Sequence, residues 1–169
     1  MIRTSLCDLL GIEHPILNAP MSRTAAAELA AAVSNAGGLG MIGGTTRGGA
    51  DWLRQQIRST RALTDRPFGV GFISSFSSID ELVQVALDER VSVINHSFSD
   101  PTPYVNAARD CGTRIFAQVQ SLEQAKRAAD AGVDAIIAQG GEAGGHTGTL
   151  GTMAFVPAVV DAVGRLPVL

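Results

Sequence analysis

At 169 residues, 46% of them hydrophobic, the chain is long enough for one domain with a sizeable core. Thirteen basic against sixteen acidic residues leave a net charge of −3 with no basic cluster, which argues against nucleic acid as a partner. Cys7 and Cys111 make neither a metal-type spacing nor a disulfide framework and read as reduced thiols; with no secretory leader and no apolar run near ~20 residues, a cytoplasmic protein away from the membrane is expected.

Apolar runs alternate with amphipathic segments along the chain. Ile16-Leu17-Asn18-Ala19 reads as a first strand, followed by a helix over Ala25 to Asn35 that Gly37-Gly38 stops. Leu39 to Ile42 is the second strand. Asp51 is expected to cap a helix reaching about Ala62, with Leu53 and Ile57 on one face and Trp52 between helices. Phe68 to Ile73 is the third strand. Ser78-Ile79-Asp80-Glu81 has the spacing of a capping box, and Leu82, Val85 and Ala86 turn inward after it. Val91 to Ile94 is the fourth strand, Pro101 opens a short helix, and Arg114 to Ala117 is the fifth strand. Ser121-Leu122-Glu123-Gln124 is a second capping box, on a helix that Gly132 ends. Asp134 to Ala138 is the sixth strand, Pro157 to Val163 a further helix, and Pro167-Val168-Leu169 begins a seventh strand.

That order requires parallel strands joined by right-handed crossovers. An open doubly wound sheet and a (β/α)8 TIM barrel both satisfy it. Polar or glycine-rich groups follow several strands: Asn18 to Met21, Gly43 to Thr46, Asn95-His96-Ser97, Gln118, and the loop from Gln139 to Gly148. A barrel gathers all of these at one C-terminal mouth. No G-x-G-x-x-G opens the first helix, so the dinucleotide-binding open sheet lacks its signature. An eight-stranded barrel takes about 250 residues. The expectation is therefore an incomplete TIM barrel, residues 1–169 forming its N-terminal portion, with open edges that invite a possible homo-oligomer.

The stretch Ala138 to Gly148 carries the chemistry. Five of its eleven residues are glycine, and His146 sits among them after a strand. Glycines let a ligand approach the backbone, and imidazole titrates near neutrality, so His146 is a candidate acid or base. Gln139 can both donate and accept hydrogen bonds. Pro20 before Met21 suggests a fixed turn at the mouth. Glu142 reads as a loop carboxylate that caps nearby amides. His14 reads as structural at the barrel bottom, and Asp51, Asp80 and Glu81 as solvated caps. His96, at the end of the fourth strand, could face the mouth.

These residues resemble the nitronate monooxygenases (2-nitropropane dioxygenases), which are FMN-dependent barrels. The resemblance is carried by Asn18-Ala19-Pro20-Met21, by Glu28 to Gly40, by Leu63 to Val70, by Ala138 to Gly148 and by Pro157 to Val163. It implies that Ala19, Pro20 and Met21 line the flavin, that Gln139, Gly144 and Gly145 contact FMN, and that His146 is the active-site histidine. It also puts Gly71 against the flavin, at a position where the family usually has an asparagine. His96 stands where the family typically has an aromatic residue, and the family's phosphate-binding segment is expected beyond Leu169. The implied reaction is oxidative denitrification of alkyl nitronates or nitroalkanes by O2, giving a carbonyl compound and nitrite. The related FMN-dependent enoyl-acyl-carrier-protein reductases have a similar Glu-Ala-Gly-Gly-His loop and are the nearest alternative. A non-catalytic barrel remnant is the alternative of another class.

Overall fold

In the computed structural model, which describes residues 2–46, 48–73 and 79–169, the apolar runs pair as one parallel sheet of five strands. They are β1 (Gly40–Gly43), β2 (Phe68–Ile73), β3 (Val93–Ser97), β4 (Arg114–Val119) and β5 (Ala135–Ala138). The order in space is the order in sequence. A doubly wound sheet would reverse at a switch point; this one advances steadily, as a barrel wall does. Leu17 bridges Leu39 on one side of the sheet and Val168 bridges Ile136 on the other, both parallel. The expected first and seventh strands are thus single bridges at the correct places. At the first, the Asn18 carboxamide stands in for the backbone ladder. Its Nδ2 donates to the Met41 carbonyl at 2.9 Å, and its Oδ1 accepts from the Met41 N–H at 2.8 Å.

Seven helices are described: α1 (Ser5–Leu10), α2 (Ala27–Asn35), α3 (Gly49–Leu63), α4 (Asp80–Asp88), α5 (Thr102–Cys111), α6 (Leu122–Ala131) and α7 (Thr152–Val163). Successive strand residues face opposite ways, and this produces two cores. Met41, Val93, Phe116 and Ala135 point into the barrel and meet Leu6, Cys7 and Ile12 around α1, which closes the bottom. Ile42, Val70, Ile94, Ile115 and Ile136 point outward against α2 to α7. Among the described residues, no helix is long and apolar enough to cross a membrane.

Several boundaries differ from expectation for identifiable reasons. β3 runs to Ser97 because its ladder continues past Ile94, pairing Phe72 with His96 and Ile73 with Ser97. Asp51 does not cap α3; the helix begins at Gly49, and Asp51 lies in its first turn, where a carboxylate favours the helix dipole. α7 begins at Thr152, with Pro157 inside it, because Glu142 caps it from the preceding loop. Asp80 is not merely solvated: it accepts the Tyr104 phenol at 2.5 Å. Ser78 of the first expected capping box lies outside the described residues. The second box is present: Ser121 Oγ accepts from the Gln124 N–H, and the Gln124 side chain accepts from the Ser121 N–H. α1 lies outside the predicted elements, although Leu6, Leu9 and Leu10 carry a helical spacing.

Gly71 has a specific neighbour. A Cβ placed there would lie 2.3 Å from Pro20 Cγ and 2.4 Å from Pro20 Cβ. The proline ring fills the space that an asparagine would need. Gly71→Asn is therefore expected to destabilise the fold by about 1–3 kcal/mol, the usual cost of overpacking. Pro20→Gly removes both of those ring carbons, so measured against Pro20→Gly alone the asparagine should cost much less, as read by denaturant unfolding of the single and double variants. Additive losses in the double variant would show that the two positions do not compete for space.

Candidate active site at the barrel mouth

The inward alternation that places Val93 and Phe116 in the barrel carries Asn95, Ser97 and Gln118 to the same interior face, one or two steps nearer the mouth. Gly43, Gly71 and Asn95 lie side by side in register. Pro20 sits over Gly71, and the Met21 carbonyl lies against Gly43, so the Ala19–Pro20–Met21 turn forms part of the mouth. The Met21 side chain is exposed.

Gln139 follows β5, its N–H donating to the Val119 carbonyl at 3.0 Å. Its Oε1 accepts from Gln118 Nε2 at 2.7 Å and from Gln120 Nε2 at 3.0 Å. Ser97 Oγ donates to Gln118 Oε1 at 3.1 Å. The glycine loop leaves the sheet here and is closed by the Gly141 N–H donating to the Leu150 carbonyl at 2.7 Å. Glu142 Oε2 accepts from the Thr152 N–H at 2.8 Å and from Thr152 Oγ1 at 2.6 Å, and these bonds hold its carboxyl below the usual range. Glu142 is the capping carboxylate that the sequence suggested. Gly144 faces open space, and Gly145 adopts φ +76°, a conformation that glycine takes without strain. His146 is exposed on this loop, its ring edge-on to Phe98 at 6.1 Å. Phe98, one residue beyond β3, has φ +62°, a backbone strain of the kind that clusters at functional sites.

Gly71, Met21, Gln139 and His146 therefore gather at the C-terminal end of the strands. His96 does not join them. It lies between inward Asn95 and Ser97 and so points outward, fully buried, stacked on Tyr104 of α5 at 4.8 Å and near Phe72 at 6.2 Å. Burial pushes its pKa down from 6.5 to about 4. Ser97, Gln118 and Gln120 were not singled out as site residues. Their signal was the period-two alternation in Val93 to Ser97 and Phe116 to Gln120, which sets polar groups on one face. A cavity of about 230 Å³, lined by Phe98, Pro101, Gln118 and Arg127 among others, opens beside the mouth. A second, of about 250 Å³, lies at the opposite end beside Leu9, Arg90 and Arg114, away from this chemistry.

His96 should make stability pH-dependent. The folded state keeps it neutral down to about pH 4, whereas the unfolded chain binds a proton near pH 6.5. Between those values the unfolded state holds more protons, so stability falls as pH falls. At 1.36 kcal/mol per unit the loss reaches about 3 kcal/mol. His96→Phe should flatten this acid limb in urea titrations from pH 7 to 4; an unchanged slope would mean that His96 is not the group responsible.

Residues 3–81 and 73–169 match the nitronate monooxygenase family. Over 162 residues the chain is 35% identical to a (3aS,4S,5R,7aS)-5-hydroxy-7a-methyl-1-oxo-octahydro-1H-indene-4-carboxyl-CoA dehydrogenase of Mycobacterium tuberculosis, covering 96% of this chain and 45% of that protein. Over 192 residues it is 34% identical to a nitronate monooxygenase of Paraburkholderia phytofirmans, covering 90% and 52%. The solved structure of FabK from Thermotoga maritima is 42% identical and superposes with a TM-score of 0.95, over 99% of this chain and 53% of that one. The chain spans about half the length of the curated relatives it matches. From the family match along nearly its whole length, and from a parallel barrel wall with its polar groups at the C-terminal mouth, the chain belongs to the nitronate monooxygenase family.

Proposed function

We propose that this chain, as one barrel domain, takes part in FMN-dependent oxidation of alkyl nitronates or nitroalkanes by O2 to carbonyl compounds and nitrite. The observation that carries the reading is the mouth itself: a carboxamide at Gln139 held by two others, beside a glycine loop that presents an exposed histidine. The residues fit a planar, polar-edged ring. Gln139 Nε2 has no partner among the described residues, Gly144 leaves open space, and the Ala19–Pro20–Met21 turn offers a backbone wall. Gln139, Gly144, Gly145, Ala19, Pro20 and Met21 would hold the flavin. Gly71 would contribute only through Pro20, which covers it. When bound, FMN supplies the redox chemistry with O2. His146 would take the α-proton of a neutral nitroalkane, or as a cation hold the nitronate anion.

Enoyl-thioester reduction is a second reading. The 42% identity to FabK and the 35% identity to a CoA-linked dehydrogenase favour it. The deciding experiment gives the purified intact protein FMN and compares nitrite release from propyl-2-nitronate with NADH oxidation on adding a crotonyl thioester. Nitrite alone supports the first reading; NADH oxidation alone overturns it in favour of the second. Protein that shows neither activity and acquires no flavin absorbance between about 350 and 500 nm overturns both.

A further inference from the structure

Two carboxamides, a hydroxyl and a third carboxamide form one hydrogen-bonded line at the mouth, from Gln139 through Gln118 and Ser97 to Asn95, and each link determines the direction of the next; Gln120 meets the line at Gln139. Gln118 donates its Nε2 to Gln139. Its Oε1 can only accept, so the Ser97 hydroxyl must donate to it. With its one proton so placed, Ser97 Oγ accepts from Asn95 Nδ2, at 3.2 Å. Asn95 is completely buried, and its Oδ1 has no partner among the described residues. A buried carbonyl oxygen left so is costly and calls for an explanation. Here it is the terminal acceptor of a line in which every bond points the same way. The other terminus is Gln139. Both lone pairs of its Oε1 are occupied, by Gln118 and Gln120, which leaves Nε2 as its available hydrogen-bonding group.

We infer that Asn95, Ser97, Gln118 and Gln120 are positioning residues that lock Gln139 as a hydrogen-bond donor, so that the ligand atom it meets is an acceptor, a ring carbonyl oxygen or an unprotonated ring nitrogen. This rests on the mouth being a flavin-ring site. The line reversed end to end would present Gln139 Oε1 instead and select a donor such as a ring N–H. The two directions make opposite demands on substitutions at Gln139. Glutamate keeps the shape and still accepts from Gln118 and Gln120 but cannot donate at neutral pH. Leucine removes both functions.

The test is titration of the intact protein that carries these residues with FMN and with riboflavin, followed by flavin fluorescence, alongside the melting temperature of each ligand-free variant. With Gln139 as donor, Gln139→Leu weakens binding roughly tenfold and Gln139→Glu weakens it about tenfold further, because a carboxylate then faces an acceptor. Gln118→Glu leaves Gln139 intact but removes the donor that holds it, and draws the Gln139 amide inward. Binding should fall about tenfold at an unchanged melting temperature, an effect that a merely structural Gln118 would not produce. Gln139→Glu binding as tightly as Gln139→Leu or better overturns the inference while leaving the flavin site standing. A variant that fails to melt cooperatively at Gln139 leaves Gln118→Glu to decide, and wild-type affinity in it counts against the inference. Wild-type protein that binds neither flavin overturns the flavin reading, and this inference with it.

Discussion

His146→Ala is expected to lower turnover of neutral nitroalkanes by roughly 10²–10⁴-fold, the usual worth of a positioned general base. Pre-formed nitronates should lose much less, since their α-proton is already gone. The location supports this split: His146 is exposed on a glycine loop at the barrel mouth, edge-on to Phe98, where a substrate can reach it. The measurement is kcat/KM for a nitroalkane and its nitronate at equal flavin content. An equal loss on both substrates would assign His146 to binding the anion and remove it from proton abstraction.

Gly40→Ala should be the most damaging single-methyl addition in the fold. A Cβ at this position would stand 1.8 Å from the Ala30 carbonyl oxygen and 2.5 Å from its carbon. Both belong to the backbone of α2, so no side-chain rotation relieves the clash. The Gly40 N–H also donates to Ser34 Oγ at 3.0 Å, and that hydroxyl donates to the Pro67 carbonyl at 2.8 Å, tying α2 to the starts of β1 and β2. Displacing α2 therefore breaks this staple as well as the packing. The expected loss is at least about 3 kcal/mol, the upper end of ordinary overpacking, or a fall in melting temperature of roughly 6–12 °C for a domain of this size. Gly144→Ala is the control: nothing lies within 4 Å of its added methyl, and its stability should stay within about 0.5 kcal/mol of wild type. If Gly40→Ala melted with the wild type, the close approach of α2 to β1 would be wrong.

The parallel wall, the C-terminal mouth and the histidine loop were legible in the sequence because their signals are local. Buried parallel strands are short apolar runs. Ser121 and Gln124 carry a capping box within four residues, and Gly132 ends its helix with a positive φ of 86°. The run of glycines before His146 marks a loop whatever lies opposite. The polar residues that the sequence places at the mouth without a role obey an equally local rule. The alternation that sends Val93 into the barrel sends Asn95 and Ser97 with it and turns His96 outward against Tyr104.

What only the tertiary structure decided is which distant groups meet. Asn18 replaces a strand ladder by bonding Met41, 23 residues away. Glu142 starts α7 by capping Thr152 ten residues on, which overrides the start that Pro157 suggested. Gln118 orients Gln139 from 21 residues away, and Pro20 fills the space over Gly71. Composition and periodicity choose which face of a strand or helix is buried, because that choice depends on each residue's own affinity for water. The partner of a polar atom depends instead on the register between strands and the path of the loops, and these are settled only when the whole wall assembles.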